Sequence, residues 1–472
     1  MDSRRLGRDV GWLWAGYLAR SLGYFGLILL FTRQLGTSGF GQLSLFLAVT
    51  LGVSQVAGSW PFLAVPVLHA QGRSIGASFR PSLYVAALAT AATLVVAIPV
   101  SVAIGVDAAV SVVAVVVASV ALVGLQGVFA VQQTEGRMSG IAMLQTAERV
   151  VALVLAAATA VLVGLDVVGA QVVLAVASLL TLVAGFAVVG RRQRLLRREP
   201  GEMPDHEIST VVDAVGAMAI VSVCSYGIAW ADIFVLAAFK SDSDVGVYSL
   251  AYQIFSFVTQ LTSYWLVAAL PHHARSAASG EEVHEQLPLP RLVTYTGIWA
   301  ALVGLGGVVA ALLLPVAFGS DFEATTPPLL LLLGGSGIFI ATYFAVLPAL
   351  IAAGRTPLIA KIAIGSVVVN IALDLALVPP LGVNGPAFAT FAQTLFASTA
   401  VALAALGLRP TIRLLAVAAP AAAATMLLAA DPNDARLLIL CALVALVTAA
   451  FCLAPVARQL RSRGWRVRPR AW

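Results

Sequence analysis

The chain is a succession of continuous apolar runs, each roughly 20 residues long, separated by short polar turns. That feature constrains the fold more than any other. In hydrocarbon every backbone N–H and C=O must be bonded within the protein, so a run of this length crosses as a helix. An outer-membrane barrel is excluded, because its strands alternate polar and apolar residues. A soluble fold is excluded by charge. Only 11% of the 472 residues are charged and 60% are hydrophobic, whereas an ordinary soluble domain has about 25% charged residues. The opening MDSRRLGRD precedes a long apolar run with no small-residue cleavage site, which reads as a retained first helix rather than a signal peptide.

The expected fold class is therefore an all-α polytopic membrane protein of about 14 transmembrane helices. Spans are predicted at 10–32, 42–69, 82–105, 108–131, 141–164, 169–190, 213–238, 247–271, 291–316, 327–353, 358–379, 383–406, 413–430 and 435–456. The third and fourth are divided at Gly105-Val106-Asp107. The basic residues orient them. With the N-terminus in the cytoplasm, only Arg33, Lys240 and Arg436 of the 28 Lys and Arg fall outside, and Arg20 and Arg149 fall within spans. All the others are cytoplasmic, a strong positive-inside asymmetry that also favours an even number of spans. Both termini are expected in the cytoplasm, with the protein in the cytoplasmic (inner) membrane. The net charge of +6 then reflects loops facing anionic lipid rather than nucleic acid. The tail 457–472, ARQLRSRGWRVRPRAW, is expected to lie on anionic headgroups.

The sequence repeats itself. Shifted by 205, residues 38–66 match 243–271 at Ser38/Ser243, Gly41/Gly246, Ser44/Ser249, Leu45/Leu250, Val53/Val258, Gln55/Gln260, Trp60/Trp265, Ala64/Ala269 and Pro66/Pro271. Shifted by 218, residues 136–164 match 354–382 at nine further positions, from Gly136/Gly354 and Arg137/Arg355 to Gly164/Gly382. Both windows pair spans that lie six apart. An even repeat length keeps the halves in one orientation, so the expectation is two parallel six-helix bundles related by a pseudo-two-fold along the membrane normal. The domains follow: 1–190, the N-terminal bundle; 191–212, a basic cytoplasmic linker; 213–406, the C-terminal bundle; 407–472, two appended helices and the tail. Two such bundles suggest alternating access. Phosphate-loop, potassium-filter and arginine-repeat voltage-sensor motifs are absent from the sequence.

Three segments carry a family resemblance. TRQLGTSGFGQLSLFLA, ADIFVLAAFKSDSDVGVYSLAYQI and GRTPLIAKIAIGSVVVNIALDLALVPPLGVNGPAFAT resemble the turns of bacterial polysaccharide exporters. The chain is similar to the oligosaccharide (Wzx-type) flippases of the multidrug/oligosaccharidyl-lipid/polysaccharide exporter superfamily over spans 1–12. Leu43 stands where that pattern commonly has Tyr, and Pro386 interrupts its usual Gly-Ala-Ala. The resemblance implies two bundles forming a V-shaped lumen. It also implies translocation of an undecaprenyl-diphosphate-linked oligosaccharide for cell-surface polysaccharide export, with polysaccharide polymerase or glycosyltransferases as further partners. No enzyme activity, cofactor or metal is implied.

A lipid diphosphate is at least a dianion, and arginine matches phosphate oxygens while staying charged out of water. Arg20, about ten residues into span 1, either contacts the substrate or pairs with Asp232 of span 7 as a strut. Asp232 is otherwise an ion-coupling candidate. Glu148 and Arg149 are adjacent in span 5 and point about 100° apart. Arg149 is a substrate-binding candidate and Glu148 an ion-coupling candidate. Asn370 and Asp374 share a face of span 11, where they line the lumen or bond a neighbouring helix; Asp374 is a third ion-coupling candidate. Cys224, Cys441 and Cys452 lie in apolar runs and read as small core residues. The five histidines sit in or beside cytoplasmic loops without metal-ligand spacing. The competing functions are a multidrug cation antiporter of the same superfamily, whose cavity would be acid-rich; a peptidoglycan-precursor flippase; and an envelope glycan polymerase or ligase. The short outer loops argue against the last.

Overall fold

The computed structural model describes residues 3–103, 109–190, 207–279, 282–283 and 285–462. Among them, regular structure is helical throughout, with no strand: α1 (Ser3–Ala70), α2 (Ile75–Ala103), α3 (Ala109–Thr134), α4 (Met138–Leu162), α5 (Val167–Gly190), α6 (Glu207–Phe239), α7 (Asp242–Ala278), α8 (Leu289–Phe318), α9 (Thr326–Leu331), α10 (Ile338–Ala352), α11 (Thr356–Leu381), α12 (Asn384–Leu406), α13 (Leu408–Leu428) and α14 (Ala435–Ser462). Twelve helical segments among the described residues are long and apolar enough to cross a membrane. One of these lies in α1, which holds predicted spans 1 and 2. Span 8 lies in α7, which is not one of the twelve among the described residues. Large apolar side chains such as Leu22, Val95 and Val161 stand well exposed, as a lipid-facing surface requires. The protein is a multi-pass α-helical membrane protein.

Spans 1 and 2 were expected as two helices with a turn between them. The two helices are there, as the two arms of α1, but no multi-residue turn parts them: they meet at a single residue, Gly36, with φ 65° and ψ −172°. That backbone region is essentially closed to residues with a Cβ, so glycine here lets the chain reverse within one residue. A second difference lies in span 10. Its expected unbroken helix is α9, a π-turn over Leu332–Gly337, and α10. Neighbouring helices approach this turn closely, in space that its glycines leave free. A Cβ on Gly334 would meet Thr425 at 2.8 Å, and one on Gly335 would meet Phe391 at 2.7 Å. The Trp299 indole donates to the Gly337 carbonyl at 2.8 Å, satisfying a backbone acceptor where the helical ladder changes register.

Packing groups the chain into Met1–Ser249 and Leu250–Trp472. In the first unit α1 lies against α2, α3, α4 and α6, and α5 against α3 and α4. One cluster of its core gathers Val65, Phe79, Val128, Val131 and Val189. In the second unit α8 carries α13 and α14, and α11 pairs with α12. Since lipid is as apolar as leucine, close backbone approach rather than water exclusion holds such helices together. Gly297 of α8 leaves room for Cys452 of α14, and Gly304 for Ala445. The Cys441 thiol donates to the Gly304 carbonyl at 3.6 Å. All three cysteines are buried. The last residues assigned to the linker, 207–212, are the first turns of α6. Residues 191–206, the division at Gly105-Val106-Asp107, His206, His284 and the tail from 463 onward lie outside the described residues.

Candidate functional site

The first arm of α1 runs beside α4 in parallel register. Gly16 admits Ala142, a Cβ on Gly23 would stand 3.1 Å from the Arg149 Cβ, and one on Gly26 would stand 3.3 Å from the Leu153 side chain. Thr146 donates to the Gly16 carbonyl at 3.3 Å. This seam of small residues brings three of the predicted residues into one neighbourhood. The Arg149 guanidinium lies over the Tyr24 ring, 5.0 Å from its centroid, within cation–π range. Arg20 is one turn before Tyr24 on α1, on the same face of the helix.

Glu148 and Arg149 are both buried, each 8% exposed. Adjacent places on a helix were expected to hold them apart, yet Arg149 Nη2 and Glu148 Oε2 stand 3.9 Å apart, an ion pair longer than a hydrogen bond. Glu148 also accepts a bond at Oε1 from the Ser178 hydroxyl of α5 at 3.1 Å. Arg149 Nε is buried without a hydrogen-bond partner. Both charges border a cavity of about 20 Å³ walled by Thr50, Ala118, Leu122, Leu174 and Ser178 among others, room for about one water molecule. Ser178 and Tyr24 were not singled out from the sequence. Tyr24 has a sequence signal, its place four residues after an intramembrane arginine. Ser178 has none.

Asp232 on α6 is fully buried and accepts a hydrogen bond from the Tyr248 hydroxyl of α7. At the repeat shift of 205 their counterparts are Leu27 and Leu43, both buried and apolar.

In the second unit Asn370 and Asp374 lie one turn apart on the buried face of α11, each 0% exposed. Neither the amide nitrogen nor the amide oxygen of Asn370 has a hydrogen-bond partner. The register with α12 follows from two contacts. Gly385 abuts Leu377 and Val378 at one end, and Gly365 abuts Phe396 at the other. The helices therefore run antiparallel, and Thr390 and Gln393, both buried, fall between those contacts on either side of the level of Asn370, with Asp374 nearer the level of Ala387. Sequence reasoning missed these two α12 residues. Lys361, expected near the end of its span, is exposed. Among the described residues no group of three or more His, Cys, Asp or Glu is placed to hold a metal ion.

A family described as "Polysaccharide biosynthesis protein" matches residues 6–276, more than half of the chain. No curated protein sequence matches. Among solved structures, the chain is similar to the lipid II flippase MurJ in an inward closed conformation, with 13% identity and a TM-score of 0.71 over 95% of this chain and 100% of that one. It is also similar to a mutant of the Vibrio cholerae MATE transporter VcmN, with 15% identity and a TM-score of 0.58 over 88% of this chain and 98% of that one. A third likeness is to the eukaryotic MATE transporter AtDTX14, with 15% identity and a TM-score of 0.58 over 89% and 99%. At these identities the shared property is the fold.

Proposed function

Because the chain belongs to the polysaccharide biosynthesis protein family, we propose that it translocates an undecaprenyl-diphosphate-linked oligosaccharide across the cytoplasmic membrane by alternating access, for cell-surface polysaccharide export. The observation that carries this reading is the pair of arginines around Tyr24. Arg20 and Arg149 come from helices that pack side by side, deep in apolar spans. A diphosphate is a ligand for two planar guanidinium forks, and a cationic drug is not. The fold of a lipid II flippase is compatible with the same cargo class.

Movement against a gradient needs a coupling ion, and the buried acids are its candidates. Asp374, with the unpartnered Asn370 amide one turn away, offers a carboxylate whose burial a proton or a monovalent cation would offset. Asp232 and Glu148 are further candidates. Both termini lie in the cytoplasm, and the basic C-terminal tail rests on anionic lipid.

The deciding experiment uses a strain lacking its own exporter of this class. Arg20→Ala lowers glycan export by more than about tenfold, equivalent to about 1.4 kcal/mol, with normal membrane abundance, while Arg20→Lys retains part of the activity. Normal export by well-folded Arg20→Ala protein removes Arg20 from substrate binding. Rescue of lipid II flipping instead of polysaccharide export points to the peptidoglycan-precursor reading, and resistance to cationic drugs to the antiporter reading.

A further inference from the structure

Gln55 lies near the middle of predicted span 2, 42–69, and its side chain is exposed. Such a group meets either lipid or water. In lipid its amide donors and acceptor would go unbonded, so an exposed amide at this depth marks a wet face. What that face offers is set by α1 and α6, which both belong to the first unit. The Tyr226 hydroxyl of α6 donates to the Ala48 carbonyl at 3.0 Å, and a Cβ on Gly52 would overlap the Tyr226 ring. Further along, Ala64 and Leu68 share a core cluster with Val211 and Val215. The second arm of α1 and α6 are therefore antiparallel, and interpolation between these contacts sets Gln55 level with residues 221–224.

The helical turn fixes which way each residue faces. Viewed from the Gly36 end, Ser222 and Ser225 stand about 40° and about 100° clockwise of Tyr226, and Gln55 about 60° anticlockwise of Gly52. Tyr226 and Gly52 face each other, so Gln55, Ser222 and Ser225 all point to one side of the seam. Ser225 is exposed and Ser222 half-buried. The Ser225 hydroxyl donates back to the Val221 carbonyl at 2.8 Å, which leaves its lone pairs for an outside donor. The other side of the seam is apolar. Ile220 and Val223 are exposed there on α6. On α1, Val53 and Ala57 turn away from Gln55 into a cluster with Ala86. At one depth, then, α6 presents one side suited to lipid and another suited to water. Counted from the reversal at Gly36, Arg20 is 16 residues back and Gln55 is 19 residues on. That difference of three residues puts the two within about 5 Å of one depth.

We propose that Gln55, with Ser222 and Ser225, is a sugar-binding subsite of the translocation path, holding ring hydroxyls of the glycan while the arginines hold the diphosphate. The proposal rests on the transport reading above. A primary amide presents donors and an acceptor side by side, and two neighbouring hydroxyls of a sugar ring present the complement. None of the three residues carries a charge, which fits a neutral polyhydroxylated ring better than a phosphate. Their depth, shared with Arg20, fits a ligand in which sugar and diphosphate are joined directly.

The test uses the full chain with Cys224, Cys441 and Cys452 replaced by alanine, and adds one cysteine at a time. A thiol must be in water to form the thiolate that reacts. Gln55→Cys and Ser225→Cys therefore react with a membrane-impermeant maleimide several-fold faster than Val223→Cys. Undecaprenyl-diphosphate-linked oligosaccharide, added to the purified protein, slows the reaction of Gln55→Cys several-fold, and sugar-free undecaprenyl diphosphate does not. In cells, Gln55→Leu at normal membrane abundance lowers glycan export several-fold. Labelling at positions 55 and 225 no faster than at 223 overturns the subsite. So does protection that does not need the sugar, or no protection at all, and so does undiminished export by Gln55→Leu. Protection by the glycan in a protein that exports none in any strain faults the transport reading and leaves the subsite standing.

Discussion

Helices α4 and α11 are equivalent at the repeat shift of 218, and they bury equivalent positions. Glu148, Ala152 and Ala156 on α4 correspond to Ser366, Asn370 and Asp374 on α11, and all six are buried. What differs is where the polarity sits. On α4 the charge is at the first of the three positions, with Arg149 beside it. On α11 an amide comes one turn further along and the acid two turns further, and the position of Arg149 is taken by Val367. The same exchange is seen where Leu27 and Leu43 face the roles of Asp232 and Tyr248. The repeat thus preserves a pattern of helix packing, and the chemistry was placed on it separately in each half. The first half keeps its arginines, suited to an anion. The second keeps an acid and an amide, suited to a proton or small cation.

The hardest test of that division is to move a charge to the equivalent place. Ala156→Asp puts the residue of position 374 into the first unit, at a site that is 0% exposed. A carboxylate buried there costs about 5 kcal/mol, comparable to the whole stability of many proteins. The variant is expected not to accumulate in the membrane, measured by immunoblot against the unmodified chain. Normal abundance would mean that α4 tolerates an acid where α11 has one, and the two helices would no longer differ in kind.

A milder exchange gives the first unit the residues of the second. Arg149→Val leaves Glu148 buried beside a vacated counter-charge and lowers stability by about 3 kcal/mol. The double variant Glu148→Ser/Arg149→Val reproduces the Ser366-Val367 pair and should recover most of that loss, because no charge is then stranded. Melting temperature in detergent measures both. Export stays low in the double variant if Arg149 serves the substrate. Recovery of stability together with export would make the pair a dispensable strut.

Much of this was legible in the chain itself. The spans follow from apolar run length and the repeat offsets from matched Trp, Gln, Gly and Pro, but the meeting of α1 with α4 near Tyr24 and Arg149 was not foreseen, since Arg20 was expected to touch the substrate or to pair with Asp232. The reversal at Gly36 was placed but taken for a turn between two helices, since glycine alone does not reveal its φ. The π-turn at Leu332–Gly337 lies close against Thr425 and Phe391, which are distant in sequence. The partners of the charges were the least visible part. A spanning helix is apolar on its lipid face and its packed face alike, so periodicity does not say which way Glu148 or Asn370 turns. Ser178, Thr390 and Gln393 carry no signal that distinguishes them from other polar residues in spans. Tyr248 had one, as the polar member of a repeat pair whose other half is Leu43.

The smallest expected effect reads the hydrogen bond that holds Glu148. Ser178 donates to Glu148 within the protein interior, and with Arg149 the serine and the acid line the small cavity. A buried hydrogen bond to a charged acceptor contributes about 1.5 kcal/mol or more, and one to a neutral acceptor about 1 kcal/mol or less. Ser178→Ala should therefore lower stability by about 1.5 kcal/mol in the unmodified protein, if Glu148 is the charged partner of Arg149. In the Glu148→Ser/Arg149→Val background the same change should cost under about 0.5 kcal/mol, and the difference is the coupling between serine and acid. Paired melts of the four proteins give that coupling. A value near zero would mean that Glu148 takes its bond elsewhere than from Ser178. The two arginines, Arg20 and Arg149, would then be what sets α1 and α4 apart from the acid and amide of α11.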